Sequence, residues 1–310
     1  MNALEFYKKQ SLITDPKKFA YLFKPLPRDV AMIKSLLQGL ILHFWDGSFH
    51  NYQIPLKRLS DIETRYVEKM LEKIIHLDNA ELIEERLLDK RIVGSCRDYA
   101  TLFCAILRYH GIAARTRVAF SAFYFKQYYH DEVILEYWNA AKQRWCLVDT
   151  RVTEPHIKRQ QLVINFDLLD VPRHQLIIPG LAWKMLRQYP SQANKFCGGD
   201  KTKNKGMWYV RDRLIQDVAA LNSIEMQLWD AWGMMFADQD IENDREQLQF
   251  LDHLAELTIE PDKHFKSIRS LYQSDARIKV PQKIKSFSPV YRKKDVTLAF
   301  CAQKSSSNGN

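Results

Sequence analysis

The stretch from Cys96 to Asp149 constrains the fold most, because it changes from helical to strand periodicity within one run of sequence. Residues 96–110 (CRDYATLFCAILRYH) have the apolar spacing of a helix, and Gly111 follows them as a residue suited to a left-handed helix end. Runs rich in β-branched and aromatic residues come next, at 115–120, 133–138 and 144–148, with a hairpin loop predicted at 139–143. A helix followed by antiparallel strands predicts an α+β fold rather than a doubly wound sheet.

The chain on both sides of this core is predicted to be helical. Helices are expected over 29–45 and 60–77, and the most regular stretch after the core covers 211–232. The ending QKSSSNGN and the scattered basic residues before it predict a peripheral tail. We therefore predict a single domain over residues 1–310, divided into a helical part at 1–90, the core at 91–155, a mainly helical part at 156–280 and the tail at 281–310. The 46% hydrophobic content is ample for its interior.

Composition excludes several classes of protein. The first twenty residues lack the features of a secretory signal, and no run reaches about 18 apolar residues, so we predict a cytoplasmic protein with no membrane partner. Five cysteines at irregular spacings indicate neither a disulfide framework nor a metal site. The formal charge of +9 would suit a nucleic acid, but the basic residues are spread along the chain without interleaved aromatics, which argues against that partner.

Cys96 lies at the predicted start of a helix, where a cysteine can become a useful nucleophile. The helix dipole and the unpaired backbone N–H groups of the first turn lower the pKa of a thiol placed there. The same N–H groups can stabilise the oxyanion of an attacked carbonyl. Gly94, two residues upstream, permits a tight entry into the helix.

The residues around Cys96 follow an order that is similar to a known family. A G-x-C helix ends in L-R-x-x-G-I-x-A-R, and a strand with a glutamate and the pattern W-x-x-V-D come after it. The matching residues are Gly94, Cys96, Leu107, Arg108, Gly111, Ile112, Ala114, Arg115, Glu136, Trp145, Val148 and Asp149. This arrangement resembles the transglutaminase-like superfamily, and the segments at 38–45 and 208–233 resemble a bacterial branch of it. The resemblance implies a papain-like core, with the Cys96 helix packed on a small antiparallel sheet, and a site that contains Cys96 and Asp149.

The sequence departs from the family pattern at one position. The family histidine, four residues before Glu136, corresponds to Glu132, and the nearest histidine is His130. Residues two apart on a strand lie on the same face, displaced by about 6.5 Å. In one interpretation a bulge or shifted register brings His130 to Cys96, and Asp149 orients its ring in a Cys-His-Asp triad. In the other, Glu132 faces Cys96 beside Asp149, and the two carboxylates raise the pKa of the thiol.

These interpretations lead to different functions. The triad predicts cysteine-dependent acyl transfer or hydrolysis on an amide, with a thioester at Cys96 and no metal or organic cofactor. The substrate would be a small-molecule or peptide amide, and the oligomeric state stays open. The arrangement with Glu132 predicts either an enzyme that uses carboxylate-assisted chemistry or a binding protein on the same fold that has no catalytic activity.

Other polar and aromatic residues are candidates for substrate binding. His43 lies in the apolar helix predicted at 29–45, where a buried structural histidine is the alternative. A second group lies in the helix predicted at 211–232, and its alternative is a solvated face with ion pairs. The group consists of Arg211, Asp217, Asn222, Glu225 and Trp229.

Overall fold

A computed structural model describes residues 1–199, 201–237, 239, 241 and 244–299 of the chain. The predicted mixture of helix and sheet is confirmed. The α-helices are α1 (Ala3–Tyr7), α2 (Val30–Leu40), α3 (Val67–Leu77), α4 (Cys96–Tyr109), α5 (Glu154–Gln160), α6 (Pro179–Gln188), α7 (Met207–Leu221), α8 (Arg245–Ile259) and α9 (Phe265–Ser274). Short 3-10 helices lie at Lys17–Phe23, Gly47–His50, Leu56–Glu63, Leu88–Lys90, Pro190–Lys195 and Gly233–Phe236.

Three small sheets accompany these helices. The strands are β1 (Ile41–His43), β2 (Ile92–Gly94), β3 (Ala114–Phe125), β4 (Tyr128–Asn139), β5 (Arg144–Val148), β6 (Leu176–Ile177), β7 (Phe196–Cys197), β8 (Asp230–Ala231), β9 (Lys283–Ser288) and β10 (Arg292–Thr297). The main sheet has the order β5-β4-β3-β6, and β7 pairs in parallel with β4. β1 and β2 form a parallel pair, while β8, β9 and β10 are antiparallel.

Helix α4 packs against the main sheet and forms the centre of the molecule. Its apolar residues are buried together with α2, α3 and the inward residues of β4 and β5, such as Leu135 and Val148. Its C-terminus has the predicted form, because Gly111 takes a positive φ of 76° directly after the last turn. Helices α6, α7 and α8 bury a second apolar cluster that includes Trp183 and Trp232.

The structure corrects three of the helix predictions. The helix predicted at 29–45 ends at Leu40, because the next three residues pair with β2. The stretch predicted as one helix at 60–77 is divided into Leu56–Glu63 and Val67–Leu77. The helix predicted at 211–232 ends at Leu221, and Ser223 with a φ of 61° turns the chain away from the helical path.

The predicted tail is only partly peripheral. Strand β9 pairs with both β8 and β10, and its residues Ile284 and Ser286 are buried. The ending QKSSSNGN lies outside the described residues. Within the described part of the chain, no helix is both long and apolar enough to cross a membrane.

A buried network of charges ties the main sheet to α7. The Arg117 guanidinium donates two hydrogen bonds to the Asp217 carboxylate, at 2.8 and 2.7 Å, and also lies 3.4 Å from Glu136. Glu136 accepts a further bond of 2.6 Å from Arg115 on the neighbouring strand. These four side chains are 0 to 1% exposed. Since a buried charge is stable only when it is paired, each member depends on its partners.

We expect Asp217→Asn to destabilise the protein strongly, by about 3–5 kcal/mol, because it leaves the buried Arg117 without its closest counter-charge. The free energy of unfolding from a denaturant titration is the measurement. Glu260→Gln is the matched control, since Glu260 pairs with Lys263 at the surface, where the side chain is 61% exposed. Equal effects of the two substitutions would contradict the assigned role of Asp217.

Candidate active site

Cys96 is the first residue of α4, and the turn before it is fixed by a capping box. The Ser95 backbone N–H donates to the Asp98 carboxylate at 2.7 Å, and the Ser95 side chain accepts from the third residue of the helix. This arrangement satisfies two of the donors that a helix N-terminus leaves unpaired. It also fixes the orientation of the thiol relative to the sheet.

Gly94 is required by a close approach rather than by a special φ. A Cβ atom at this position would lie 2.8 Å from the Ile41 side chain and 3.2 Å from the Asp98 Cβ. The glycine therefore lets β1 and the first turn of α4 pack against the end of β2.

The Cys96 sulfur contacts the main sheet where β5 stops pairing with β4. The register between these strands ends at Leu135 and Val148. Val133 lies on β4 two residues before Leu135, beyond the end of this pairing, and its N–H donates to the Cys96 Sγ at 3.4 Å. The thiol thus accepts a backbone hydrogen bond from a strand edge that β5 leaves open.

A cavity of about 710 Å³ opens over Cys96. Its wall combines aromatic side chains with charged ones. The lining residues from the core and the N-terminal part include His43, Phe44, Trp45, Ser95, Cys96, His130, Asp131, Glu132 and Arg151. Those from the C-terminal part include Gly199, Asn204, Trp208, Tyr209, Asp212, Arg213, Leu228, Trp229, Met235, Phe236 and Phe287.

Glu132 directly precedes Val133 on β4, and its charge acts on the Cys96 thiol. It is 3% exposed, and its Oε1 atom has no hydrogen-bond partner. The Arg151 guanidinium lies 4.0 Å from that oxygen. Burial, together with the negative charge of Asp149, raises the pKa of Glu132 to about 8.

The environment of Cys96 favours the neutral thiol. Burial raises its pKa to about 12, and the Glu132 charge contributes in the same direction. The hydrogen bond from Val133 and the positive charge of Arg151 act against this rise. Without a proton acceptor beside it, this thiol would therefore be a weak nucleophile at neutral pH.

His130 lies in the same cavity but in an aromatic environment. Its ring is 5.1 Å from the ring centre of Phe125 and 6.1 Å from that of Trp45. Both ring nitrogens are buried without a hydrogen-bond partner, so the bond to Asp149 that a triad requires is absent. Burial lowers the pKa of His130 to about 4, which makes the ring neutral near pH 7.

Asp149 follows β5 and shapes the turn that carries Arg151. Its Oδ1 atom accepts from the Arg151 and Val152 backbone N–H groups at 2.9 and 2.6 Å. Its Oδ2 atom is buried without a partner. The charge of Asp149 acts on Glu132 through space, while its hydrogen bonds hold the backbone.

Arg151 connects Glu132 to a second group of polar residues. Its guanidinium lies 3.3 Å from the Asp46 carboxylate and stacks 4.3 Å from the centre of the Tyr124 ring. The other Asp46 oxygen is 2.8 Å from the His156 Nε2. His43 lies on β1, contrary to the predicted helix, and its side chain lines both the main cavity and a second cavity of about 430 Å³.

Four of the predicted substrate-binding residues lie outside the cavity lining. Asp217 pairs with Arg117, and Glu225 accepts from Arg108 at 3.1 Å. Arg211 bonds to Asp212 at 2.8 Å and to backbone oxygens. Asn222 ends α7 and donates to the Val218 carbonyl group at 2.9 Å. Their polarity reflects buried structural pairing, whereas Trp229 and His43 do line the cavity.

Other cavity residues have no counterpart among the predictions. On α7 the cavity face carries Trp208, Tyr209, Asp212 and Arg213. Their spacing of four residues, from 208 to 212 and from 209 to 213, was the signal that could have identified this face. Arg151 lies two residues after Asp149, in a segment that carries no recognisable motif.

The described residues contain no group of three or more His, Cys, Asp or Glu side chains placed to hold a metal ion.

Comparison with known proteins gives one match. The model of the transglutaminase-like superfamily matches residues 77–150, which confirms the resemblance that the sequence predicts. No curated protein and no solved structure matches the chain. The matched segment contains α4, β3, β4 and β5, and with them Cys96, Glu132 and Asp149. Residues 77–150 are therefore similar to a transglutaminase-like superfamily domain.

Proposed function

We propose that the protein catalyses cysteine-dependent acyl transfer or hydrolysis on an amide substrate, with Cys96 as nucleophile and Glu132 as the group that accepts and returns the proton. The observation that carries the proposal is the buried Glu132 carboxyl group, whose charge acts on the thiol and whose pKa is raised to about 8. A base works best when its pKa lies near the working pH. Burial gives this carboxylate a basicity close to that of a histidine.

The reaction proceeds through a thioester. Ionised Glu132 takes the proton of the Cys96 thiol while the sulfur forms a bond to the amide carbon. The protonated carboxyl then gives that proton to the nitrogen as the C–N bond breaks, and the amine leaves. Water or a second amine attacks the thioester, Glu132 accepts its proton, and the C–S bond breaks as Cys96 is protonated again.

Two kinds of donor are available for the oxyanion. The first is the backbone N–H groups at the start of α4, which lack an acceptor one turn earlier and lie in the same turn as the thiol; the Asp98 N–H is taken by Ser95. The Trp229 indole Nε1 in the cavity wall is buried without a hydrogen-bond partner. The hydrogen bonds from both donors would become stronger as negative charge develops on the oxygen of the tetrahedral intermediate.

We also propose that residues 91–155 form a papain-like core within one domain. The substrate would be a small-molecule or peptide amide in the cytoplasm. The chemistry asks for no metal or organic cofactor.

A non-catalytic binding protein is the second candidate. The observation that favours it is the pKa of about 12 at Cys96, which leaves the thiol protonated at neutral pH. In that case the cavity would bind an amide without attacking it.

We expect Glu132→Gln to slow acylation of Cys96 by about 10²–10⁴-fold, because the proton acceptor is lost while the shape of the side chain is kept. The measurement is the single-turnover release of p-nitrophenolate from p-nitrophenyl acetate, with the acyl-enzyme identified by intact mass. His130→Ala is expected to retain most of the rate, since that ring is bonded to neither Cys96 nor Asp149. Cys96→Ala gives the background.

The comparison between these variants decides among the candidates. A large loss in His130→Ala with a normal rate in Glu132→Gln would restore the Cys-His-Asp triad. An acylation rate at the Cys96→Ala background in the unmodified protein would favour the binding protein. Each variant is first checked for an unchanged circular dichroism spectrum and melting temperature.

We expect the acylation rate to rise with pH, with a midpoint near 8 and a plateau above it. The base form of Glu132 is the active form, and raising the pH through its pKa of about 8 produces that form. The Glu132→Gln variant should instead rise without a plateau toward the pKa of Cys96 near 12. Rate profiles between pH 5.5 and about 10.5 test this. A maximum near pH 6 would contradict the assignment of Glu132 as base.

A further inference from the structure

Five lysines lie in two segments beside the cavity. Lys126 is in the tip of the β3–β4 hairpin, Lys195 ends the 3-10 helix Pro190–Lys195, and Lys201, Lys203 and Lys205 lie between that helix and α7. The two segments are in contact, because the Lys201 ammonium lies 3.6 Å from the centre of the Phe125 ring and 5.1 Å from that of Tyr128.

This basic surface is continuous with the cavity. Gly199 and Asn204, in the lysine-bearing segment, line the cavity directly. Trp45 lies against Gly199 so closely that a Cβ atom there would be 2.4 Å from the Trp45 ring. A chain that rests on the lysines would therefore pass Trp45 on its way to the cavity.

The five lysines form no ion pair with a carboxylate in the part of the chain that the structure describes. Elsewhere on the surface, lysines such as Lys8, Lys142 and Lys263 lie 2.6 to 3.2 Å from an acidic partner. The positive charge at the mouth is therefore available to an external group.

Hydrogen-bond donors continue from the lysines into the cavity. Arg151 and Lys201 are both close enough to His130 to lower its pKa, in addition to the effect of burial. The Arg151 Nε and both His130 ring nitrogens are buried without partners in the described structure. Buried polar groups of this kind are normally hydrogen-bonded, so their state indicates space for a ligand that accepts hydrogen bonds.

Two acidic side chains near this wall are already paired. Asp131 accepts from the Tyr209 hydroxyl at 2.6 Å and lies 3.2 Å from the Arg213 guanidinium. Asp46 is held by His156 and Arg151. Glu132, with its raised pKa, is mostly protonated at neutral pH. The Lys201 ammonium, the neutral His130 ring and the unpartnered Arg151 Nε thus remain as hydrogen-bond donors along the wall from Lys201 to Arg151.

We propose that this wall and the five lysines recognise an acidic polypeptide that presents the reactive amide to Cys96. This inference rests on the proposed function for the identity of the reacting group and adds the class of substrate. Carboxylates on the polypeptide accept hydrogen bonds from the lysines at the mouth and from His130 and Arg151 inside it. The favourable electrostatic field accelerates association and makes it dependent on salt.

The aromatic residues at the mouth favour a polypeptide over a nucleic acid. Single-stranded nucleic acids bind by stacking bases on open aromatic faces. The face of Phe125 is covered by the Lys201 ammonium, and the Trp45 ring is packed on Gly199. The Lys201 side of Phe125 and the Gly199 side of Trp45 are therefore closed to a stacking base.

The test measures binding separately from catalysis, in the full chain with Cys96→Ala. The probe is a fluorescein-labelled peptide with one glutamine between two runs of four glutamates, and its Kd is measured by fluorescence anisotropy at low and high salt. We expect Lys201→Glu/Lys203→Glu/Lys205→Glu to weaken binding by about tenfold or more, which corresponds to about 1.4 kcal/mol. The control Lys57→Glu/Lys184→Glu/Lys266→Glu makes the same change of net charge at exposed lysines elsewhere and should bind as the parent does.

A second variant tests the inner part of the wall. His130→Phe keeps the size of the ring and removes its nitrogens, and it should weaken binding of the acidic peptide but not of a peptide in which glutamine replaces every glutamate. Equal Kd values for the two lysine triple variants would overturn the proposal. So would equal binding of the acidic and all-glutamine peptides, or tighter binding of a single-stranded RNA with the same charge. Since Cys96 is absent, none of these results depends on whether the chain is an enzyme.

Discussion

The point at which β5 stops pairing with β4 determines the arrangement of the site. A strand edge with free N–H groups must find other acceptors, and here one of them is the sulfur of Cys96. Because α4 begins at that edge, the thiol is held to the sheet by a hydrogen bond whose donor is a backbone N–H, so substitution of the Val133 side chain leaves the donor in place. The same break in pairing leaves room for the turn from Asp149 to Arg151, whose guanidinium reaches Glu132.

Burial explains how the Glu132 carboxylate can be basic enough to act at this site. An exposed carboxylate is too weak a base to take a proton from a thiol, and a histidine would normally fill that position. Burial and the charge of Asp149 make the carboxylate more basic, while the positive charge of Arg151 acts in the opposite direction. Two opposing charges thus set the basicity of one carboxyl group, and a change at either one alters the site without touching Cys96.

The sequence predicted the core of this fold well and the surroundings of the site less well. Helix α4 and strand β5 follow from long or strongly patterned runs, and their observed bounds differ from the predicted ones by at most one residue. Strand β1 has only three residues, too few for a period of two to be recognised. The sequence pattern therefore predicts a helix at His43, where the structure has a strand. The composition of the polar residues at 211–225 predicts a binding face. A buried ion pair such as Arg117–Asp217 has the same residue types as a binding site. Only the three-dimensional packing separates the two.

The side chain of His43 forms part of the partition between the main cavity and the second cavity behind it. This partition lies between the cavity that Glu132 lines and the second cavity, which Asp46 and His156 line. If it were breached, water could solvate the carboxylate from behind, and the group would return toward ordinary acidity. The pKa of His43 is lowered to about 3 by burial and by Arg151, so its ring is neutral. By excluding water from Glu132, this neutral ring would contribute more to the site than any hydrogen bond that it makes.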